Sequence, residues 1–433
     1  MTPPIIGLLG LAALLVLIAM RVPVAIGMGI VGIIGSLVLS GPLSAGFVLG
    51  SQPFVTISPY SLSVIPLFVM MGSFASHAGL STSLYKALNR LIGHWRGGLA
   101  SATIGASALF GAVCGSSLAT AATMARVAIP EMTAAGYDKR LTSGALAAGG
   151  TLGILIPPSI IMVIYAIQTE QSIGRLFLAG MVPGVLAALL YMLAAYLVVR
   201  IRPDMGGKRG LHASGSKVAA FLEMGPVVVL FGVVMGGMYG GIFSPTEAAA
   251  VGAFGAAVLA WFKGRLTLDV IRAVMIETAG TSAMIFLILI GTSILQFFIE
   301  SSTLPVMLIQ WIEAFGLGPI GVLILIMLVY IVLGCFLDSL SMMLITLPVV
   351  FPVVVQMGID PIWFGVLVVS VVEIGLITPP LGMNLYIIAS SSDDIRFETV
   401  TVGVLPFLGS DIVRLGLLIA FPALSLTLPG WLM

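Results

Sequence analysis

Apolar runs of about 20 residues, the length that spans the hydrocarbon of a bilayer, recur along the chain from Ile5 to Leu428. The polar positions between them gather into short loops, so the pattern predicts a polytopic bundle of membrane-spanning helices. The first 32 residues resemble a cleavable leader only superficially. They lack a basic start, and a second apolar run follows Arg21 at once, so both runs read as retained spans. Two kinds of segment interrupt the pattern. One is the small, hydroxyl-bearing stretch at residues 111–117, and the other is the Pro-Pro pair inside LGILIPPSIIMVIYA and again inside IGLITPPLGMNLYII.

Composition supports the membrane reading. The 433 residues are 59% hydrophobic and only 8% charged, with a mean hydropathy of +1.20, whereas a soluble domain carries about a quarter charged residues. No soluble core of this length hides so much apolar surface. The net charge of +1 gives no sign of a nucleic-acid partner. Cys114 and Cys335, both in apolar stretches, are too few for a disulfide framework or a metal site.

The basic residues cluster at Lys86, Arg90 and Arg96, at Lys139 and Arg140, at Arg200, Arg202, Lys208, Arg209 and Lys217, and at Lys263, Arg265 and Arg272. Short loops rich in Lys and Arg stay in the cytoplasm, so these four are expected on one side. From there to Arg396 no further Lys or Arg occurs. That gap coincides with an internal repeat. At a constant offset of 222 residues Ser117 matches Ser339, Pro130 matches Pro352 and Asp138 matches Asp360, while Gly153 matches Gly375 and Pro157-Pro158 match Pro379-Pro380. One copy has basic flanks and the other has none, as two opposite orientations require. The expected architecture is an all-α membrane protein built on an inverted-topology repeat.

Basic loops on both sides of SATIGASALFGAVCGSSLATAATM suggest that the chain enters and leaves on one face, as a re-entrant hairpin with its tip near residues 114–117; two closely packed spans are the alternative. Its counterpart, YIVLGCFLDSLSMMLIT, places Asp338 and Ser339 at the equivalent turn. At each Pro-Pro the helix loses backbone donors, and the freed carbonyls need partners at membrane depth. Carbonyls, hydroxyls and one carboxylate suit a hard cation such as sodium, and half-helix N-termini suit an anionic solute. A first ion site is therefore expected from Gly111, Ser116 and Ser117 against Pro157, and a second from Gly334, Asp338 and Ser339 against Thr378 and Pro379. Ser116, Ser159 and Asn384 are candidate solute contacts.

Asp338 reads either as an ion ligand or as a helix cap, and Glu373 either as a proton or ion site or as a structural hydrogen-bond acceptor. Arg126 could hold a solute carboxylate, or it could snorkel from the hairpin mouth to water. Ser244-Pro245-Thr246-Glu247 reads as a helix-opening capping box.

SVIPLFVMMG, FGAVCGSSLATAATM, IPEMTAAGYD, GGTLGILIPPSIIMVIY, GIFSPTEAAAVGA, GIDPIWFGV and EIGLITPPLGMNLY, in that order, resemble the large membrane subunit of the tripartite ATP-independent periplasmic (TRAP) transporters over residues 60–390. The resemblance implies a scaffold with a transport domain that slides as an elevator, sodium coupling, a small four-helix membrane subunit and a periplasmic substrate-binding protein. It also implies a small carboxylate as solute (a C4-dicarboxylate, keto acid or sialic acid) and residence in the bacterial inner membrane. Gly115, Ser116, Ser117, Pro157, Asp338, Asn384 and Pro379 match the family's ion-site regions, and Arg126 departs from its pattern. With the chain ending soon after its last span, the small subunit is expected as a separate chain.

The expected division is N-terminal scaffold helices at 1–58, a first transport repeat at 59–170, scaffold helices with the basic loop 200–220 at 171–272, a second transport repeat at 273–392 and a C-terminal helix at 393–433. The chain has no P-loop, HExxH or GxSxG pattern, so neither a coupled ATPase nor an enzyme is expected, and no cofactor beyond sodium. A proton-coupled carrier and an ion channel stand as alternatives; paired ion sites in inverted repeats favour alternating access over a pore.

Overall fold

The structure, a computed structural model, describes residues 2–207 and 216–432. The centre of the basic loop, with Lys208 and Arg209, lies outside the described residues. Nineteen α-helices occur among the described residues, eight of them long and apolar enough to cross a membrane, or nine if one bent pair counts as a span.

The chain opens with α1 (Pro3–Ala19), α2 (Val24–Ile57), α3 (Val64–His77) and α4 (Leu80–Ile92). The first repeat follows as α5 (Gly98–Cys114), α6 (Ser117–Ala134), α7 (Lys139–Leu155) and α8 (Ile160–Gln168). Next come α9 (Ile173–Ile201), α10 (Lys217–Tyr239), α11 (Pro245–Phe262), α12 (Leu268–Ser301) and α13 (Leu304–Ala314). The second repeat is α14 (Pro319–Gly334), α15 (Ser339–Gln356), α16 (Pro361–Ile377) and α17 (Met383–Ser390), and α18 (Phe397–Ala420) and α19 (Ala423–Leu432) close the chain.

Polar residues at fixed places start these helices. Ser244 and Glu247 form the expected capping box at the head of α11. Asp138 caps α7, and its repeat equivalent Asp360 caps α16 by accepting from Ile362 N–H at 2.8 Å and Trp363 N–H at 2.9 Å. The helix pairs α6/α15 and α7/α16 therefore share both boundaries at the 222-residue offset.

The two repeats pack reciprocally. α17 lies against α6 and α7, and its equivalent α8 lies against α15 and α16. Such reciprocity is the mark of a two-fold relation. Its axis passes beside Thr151 and Glu373, equivalent residues of α7 and α16 that hydrogen-bond to each other at 2.7 Å. α9 and α18 pack on α7 and α16, while α2, two helical stretches that meet at a kink at Gly41 (φ 82°), runs along the 34-residue α12, with α3 against the latter. Leu43, Phe47 and Phe54 on α2 stay largely exposed, as a lipid-facing surface requires.

Candidate ion and solute site

Each repeat carries a helix–turn–helix tip and a broken helix, and the tip rests on the break. In the first repeat Gly115 adopts a left-handed conformation (φ 66°), which glycine takes without strain. Its N–H closes α5 on the Gly111 carbonyl at 2.8 Å. Ser116 then caps α6, accepting from Ala119 N–H at 3.4 Å. A Cβ on Gly115 would lie 3.1 Å from the Pro158 carbonyl oxygen, and one on Gly111 would lie 2.6 Å from Gly153 Cα, so only glycines let hairpin and break touch.

In the second repeat Asp338 stands where Ser116 stands in the first. Its Oδ1 accepts from Leu340 N–H at 3.1 Å and Ser341 N–H at 3.0 Å, capping α15. Gly334 presses on Gly375 as Gly111 presses on Gly153. The breaks are alike too, each with a cis Pro-Pro bond, Pro157-Pro158 and Pro379-Pro380. Hydroxyls satisfy part of the freed backbone: Ser159 donates to the Ile154 carbonyl at 2.5 Å, and Thr378 donates to the Ile374 carbonyl at 2.6 Å.

Both tips open onto one cavity of about 490 Å³. Residues 115–119 and 338–340 both line it, Ile154 and Leu376 come from the ends of α7 and α16, and Thr281, Ile285 and Ile288 come from α12. Of the lining side chains only Asp338 is ionisable. The N-termini of α6 and α15 thus bring partial positive charge and free N–H groups to a cavity without a fixed cation.

The structure brings Ser116, Ser117, Asp338 and Ser339 together at this cavity. Gly111 and Gly334 pack behind the tips. Asn384 is fully buried and ties the second break to the first hairpin, donating to Ser117 Oγ at 2.8 Å and to the Ala147 carbonyl at 3.2 Å. Ser159, also buried, and Arg126, exposed on α6, are not among the lining residues. Glu373 lies away from the cavity in an ion pair with Arg414.

Sequence reasoning passed over two hydroxyls here. Thr281 lines the cavity from α12. Thr120, one turn into α6, is fully buried, has no hydrogen-bond partner among the described residues, and sits where a Cβ on Gly153 would reach its Oγ1 at 2.8 Å. A buried unpartnered oxygen behind the first tip is free for an ion. A threonine one helical turn from a tip serine was the available signal.

Comparison with known proteins gives the family and the fold. Residues 11–424 match the family model described as the tripartite ATP-independent periplasmic transporter, DctM component. The chain is similar to the C4-dicarboxylate TRAP transporter large permease protein DctM of Pseudomonas aeruginosa, at 36% identity over 89% of this chain and 90% of that one. It is similar also to the sialic acid TRAP transporter large permease protein SiaM of Vibrio cholerae, at 35% identity over 86% and 87%. A third relative is the isethionate TRAP transporter permease protein DctMQ of Oleidesulfovibrio alaskensis, at 33% identity over 99% of this chain and 66% of that one. Among solved structures the YdaH transporter of Alcanivorax borkumensis shares the fold, with a TM-score of 0.61, 15% identity and 88% of each chain covered.

Proposed function

The chain belongs to the DctM family, the large permeases of the tripartite ATP-independent periplasmic transporters, and from that premise we infer that it carries a small carboxylate-bearing anion inward across the bacterial inner membrane in symport with sodium. The relatives named for C4-dicarboxylates and sialic acid support a carboxylate, and the relative named for isethionate, a sulfonate, makes a small organic sulfonate the second solute class to test. A small four-helix subunit and a periplasmic binding protein complete the system.

The observation that carries this reading is the single cavity between two helix N-termini, whose only ionisable lining residue is negative. An anion entering it meets Asp338 and no side-chain cation. Sodium bound at the tips, by Ser116, Ser117 and Thr120 in one repeat and by Asp338 and Ser339 in the other, removes that repulsion and supplies the missing positive charge. The solute then binds between the tips. The two repeats, tied together through Asn384 and Ser117, move as one body against α2 and α12. Coupling follows because the solute binds well only to the ion-ordered state.

The test is uptake into proteoliposomes holding this chain, its small subunit and its binding protein, without ATP, against a panel of labelled carboxylates and small organic sulfonates. Uptake that needs both an inward sodium gradient and the binding protein supports the reading and identifies the solute. Uptake driven by a proton gradient and indifferent to sodium overturns the ion sites and makes Asp338 a proton acceptor. Flux that shows no saturation and far exceeds carrier rates indicates a channel.

A further inference from the structure

A second charged centre lies outside the cavity. Glu373 from α16, Asp411 and Arg414 from α18, Tyr191 from α9 and Thr151 from α7 meet with all five side chains fully buried. Two carboxylates face one guanidinium, which leaves one unit of negative charge with no counter-ion inside a membrane-embedded bundle. An uncompensated buried charge is costly enough that the group neutralises instead.

The hydrogen bonds show which carboxylate is charged. Glu373 Oε2 accepts from Arg414 Nη1 at 2.7 Å, while its Oε1 lies 2.7 Å from Thr151 Oγ1, whose single hydrogen is shared with the Ala148 carbonyl at 2.7 Å. Asp411 is served worse. Arg414 Nη2 lies 2.9 Å from its Oδ1 but makes no hydrogen bond. Its one donor is the Tyr191 hydroxyl, which sits 2.8 Å from Oδ1 and 2.7 Å from Oδ2 and has a single hydrogen for both. The ionisable groups facing Asp411 are Arg414 on its own helix, Glu373 from α16 and Tyr191 from α9; α7 adds only the Thr151 hydroxyl.

We propose that Asp411 is a proton-binding site, holding one resident proton at neutral pH beside the ionised Glu373–Arg414 pair. The proton makes the centre neutral. It joins α7 and α16 to α9 and α18 as an uncharged unit, and no residue of the centre lines the cavity.

The test is infrared spectroscopy and thermal unfolding of the purified chain at neutral pH, comparing the parent with Asp411→Asn and Glu373→Gln. The parent is expected to show the carbonyl stretch of a protonated carboxylic acid, and Asp411→Asn to lose that band while melting with the parent. Glu373→Gln leaves Asp411 as the one carboxylate beside Arg414, 2.9 Å from Nη2, so Asp411 is expected to ionise and the band to vanish there too. Labelling aspartate with 13C at its side-chain carboxyl is expected to shift the parent's band, and a band that does not shift overturns the proposal. A parent-minus-Asp411→Asn difference spectrum with a carboxylate band and no protonated band overturns the proposal, whatever becomes of Glu373→Gln. So does an Asp411→Asn variant that melts well below the parent, as the loss of an ionised partner of Arg414 would make it.

Discussion

Replacing Asp338 by Asn and by Ala separates the two roles its carboxylate can play. One role is visible: Oδ1 accepts two backbone N–H groups at the head of α15. Asn caps a helix about as well as Asp, whereas Ala forfeits about 1 kcal/mol. The other role is electrostatic. As the only ionisable residue lining the cavity, Asp338 supplies the full negative charge that a bound sodium ion would see. A charge-assisted contact contributes about 1.5–3 kcal/mol, and each 1.4 kcal/mol is a factor of ten. Asp338→Asn is therefore expected to keep an ordered tip and a near-parental melting temperature, while its sodium half-saturation rises about ten- to a hundredfold. Asp338→Ala should show that loss together with a lower melting temperature. The assay is sodium-titrated uptake in proteoliposomes beside thermal unfolding in detergent. If Asp338→Asn takes up solute with the parent's sodium dependence and only Asp338→Ala is impaired, the carboxylate is a cap and the second ion site is wrong.

Other expectations are sharper still in geometry. Gly153→Ala puts a Cβ 2.8 Å from Thr120 Oγ1 and 2.9 Å from the Ser116 carbonyl oxygen, so uptake should collapse at a stability cost of about 1–3 kcal/mol; Gly409→Ala on α18, with nothing within 4 Å, is the control and should transport normally. Asn384→Leu removes the bonds that join the second break to Ser117 at the first tip and to the Ala147 carbonyl of α7, and should lower the melting temperature and uptake together. Thr120→Val, close to isosteric, should leave the melting temperature unchanged or raised and weaken sodium dependence; an unaltered sodium titration removes Thr120 from the site. Ser244→Ala should cost about 1 kcal/mol in unfolding with transport preserved, since the capping box lies far along the chain from both tips.

The repeat was legible because it is written in residues with little conformational choice. Pro-Pro, Gly-x-Asp and the tip serines hold one register, and the helices they delimit share boundaries to the residue in α6/α15 and α7/α16. The tips and breaks were legible for the same reason. What the chain order concealed is which hydroxyls remain free. Ser159 and Thr378 donate their hydroxyl hydrogens to carbonyls five and four residues back, a use that the sequence does not show. Thr120, unremarked among alanines, is one of several buried hydroxyls without a partner among the described residues, and the one that stands behind the first tip. The charged centre was hidden differently. An Asp and an Arg three residues apart in the apolar span FLGSDIVRLGLL is a readable signal of paired intramembrane charges, but its link to Glu373, some 40 residues earlier, depends on how α16 and α18 pack.

The contact between Thr151 and Glu373 bears on how separable the two halves of the molecule are. On a two-fold axis a residue meets its own counterpart, so identical halves would set Glu against Glu or Thr against Thr at this point. The first pairing repels, and the second removes the Glu373 carboxylate that accepts from Arg414 at 2.7 Å. A hydroxyl on one side and a carboxylate on the other resolves the conflict only while the halves stay different. Each half has thereby become a specific partner for the other, and a chain assembled from two copies of either half would place the wrong residue at its own centre.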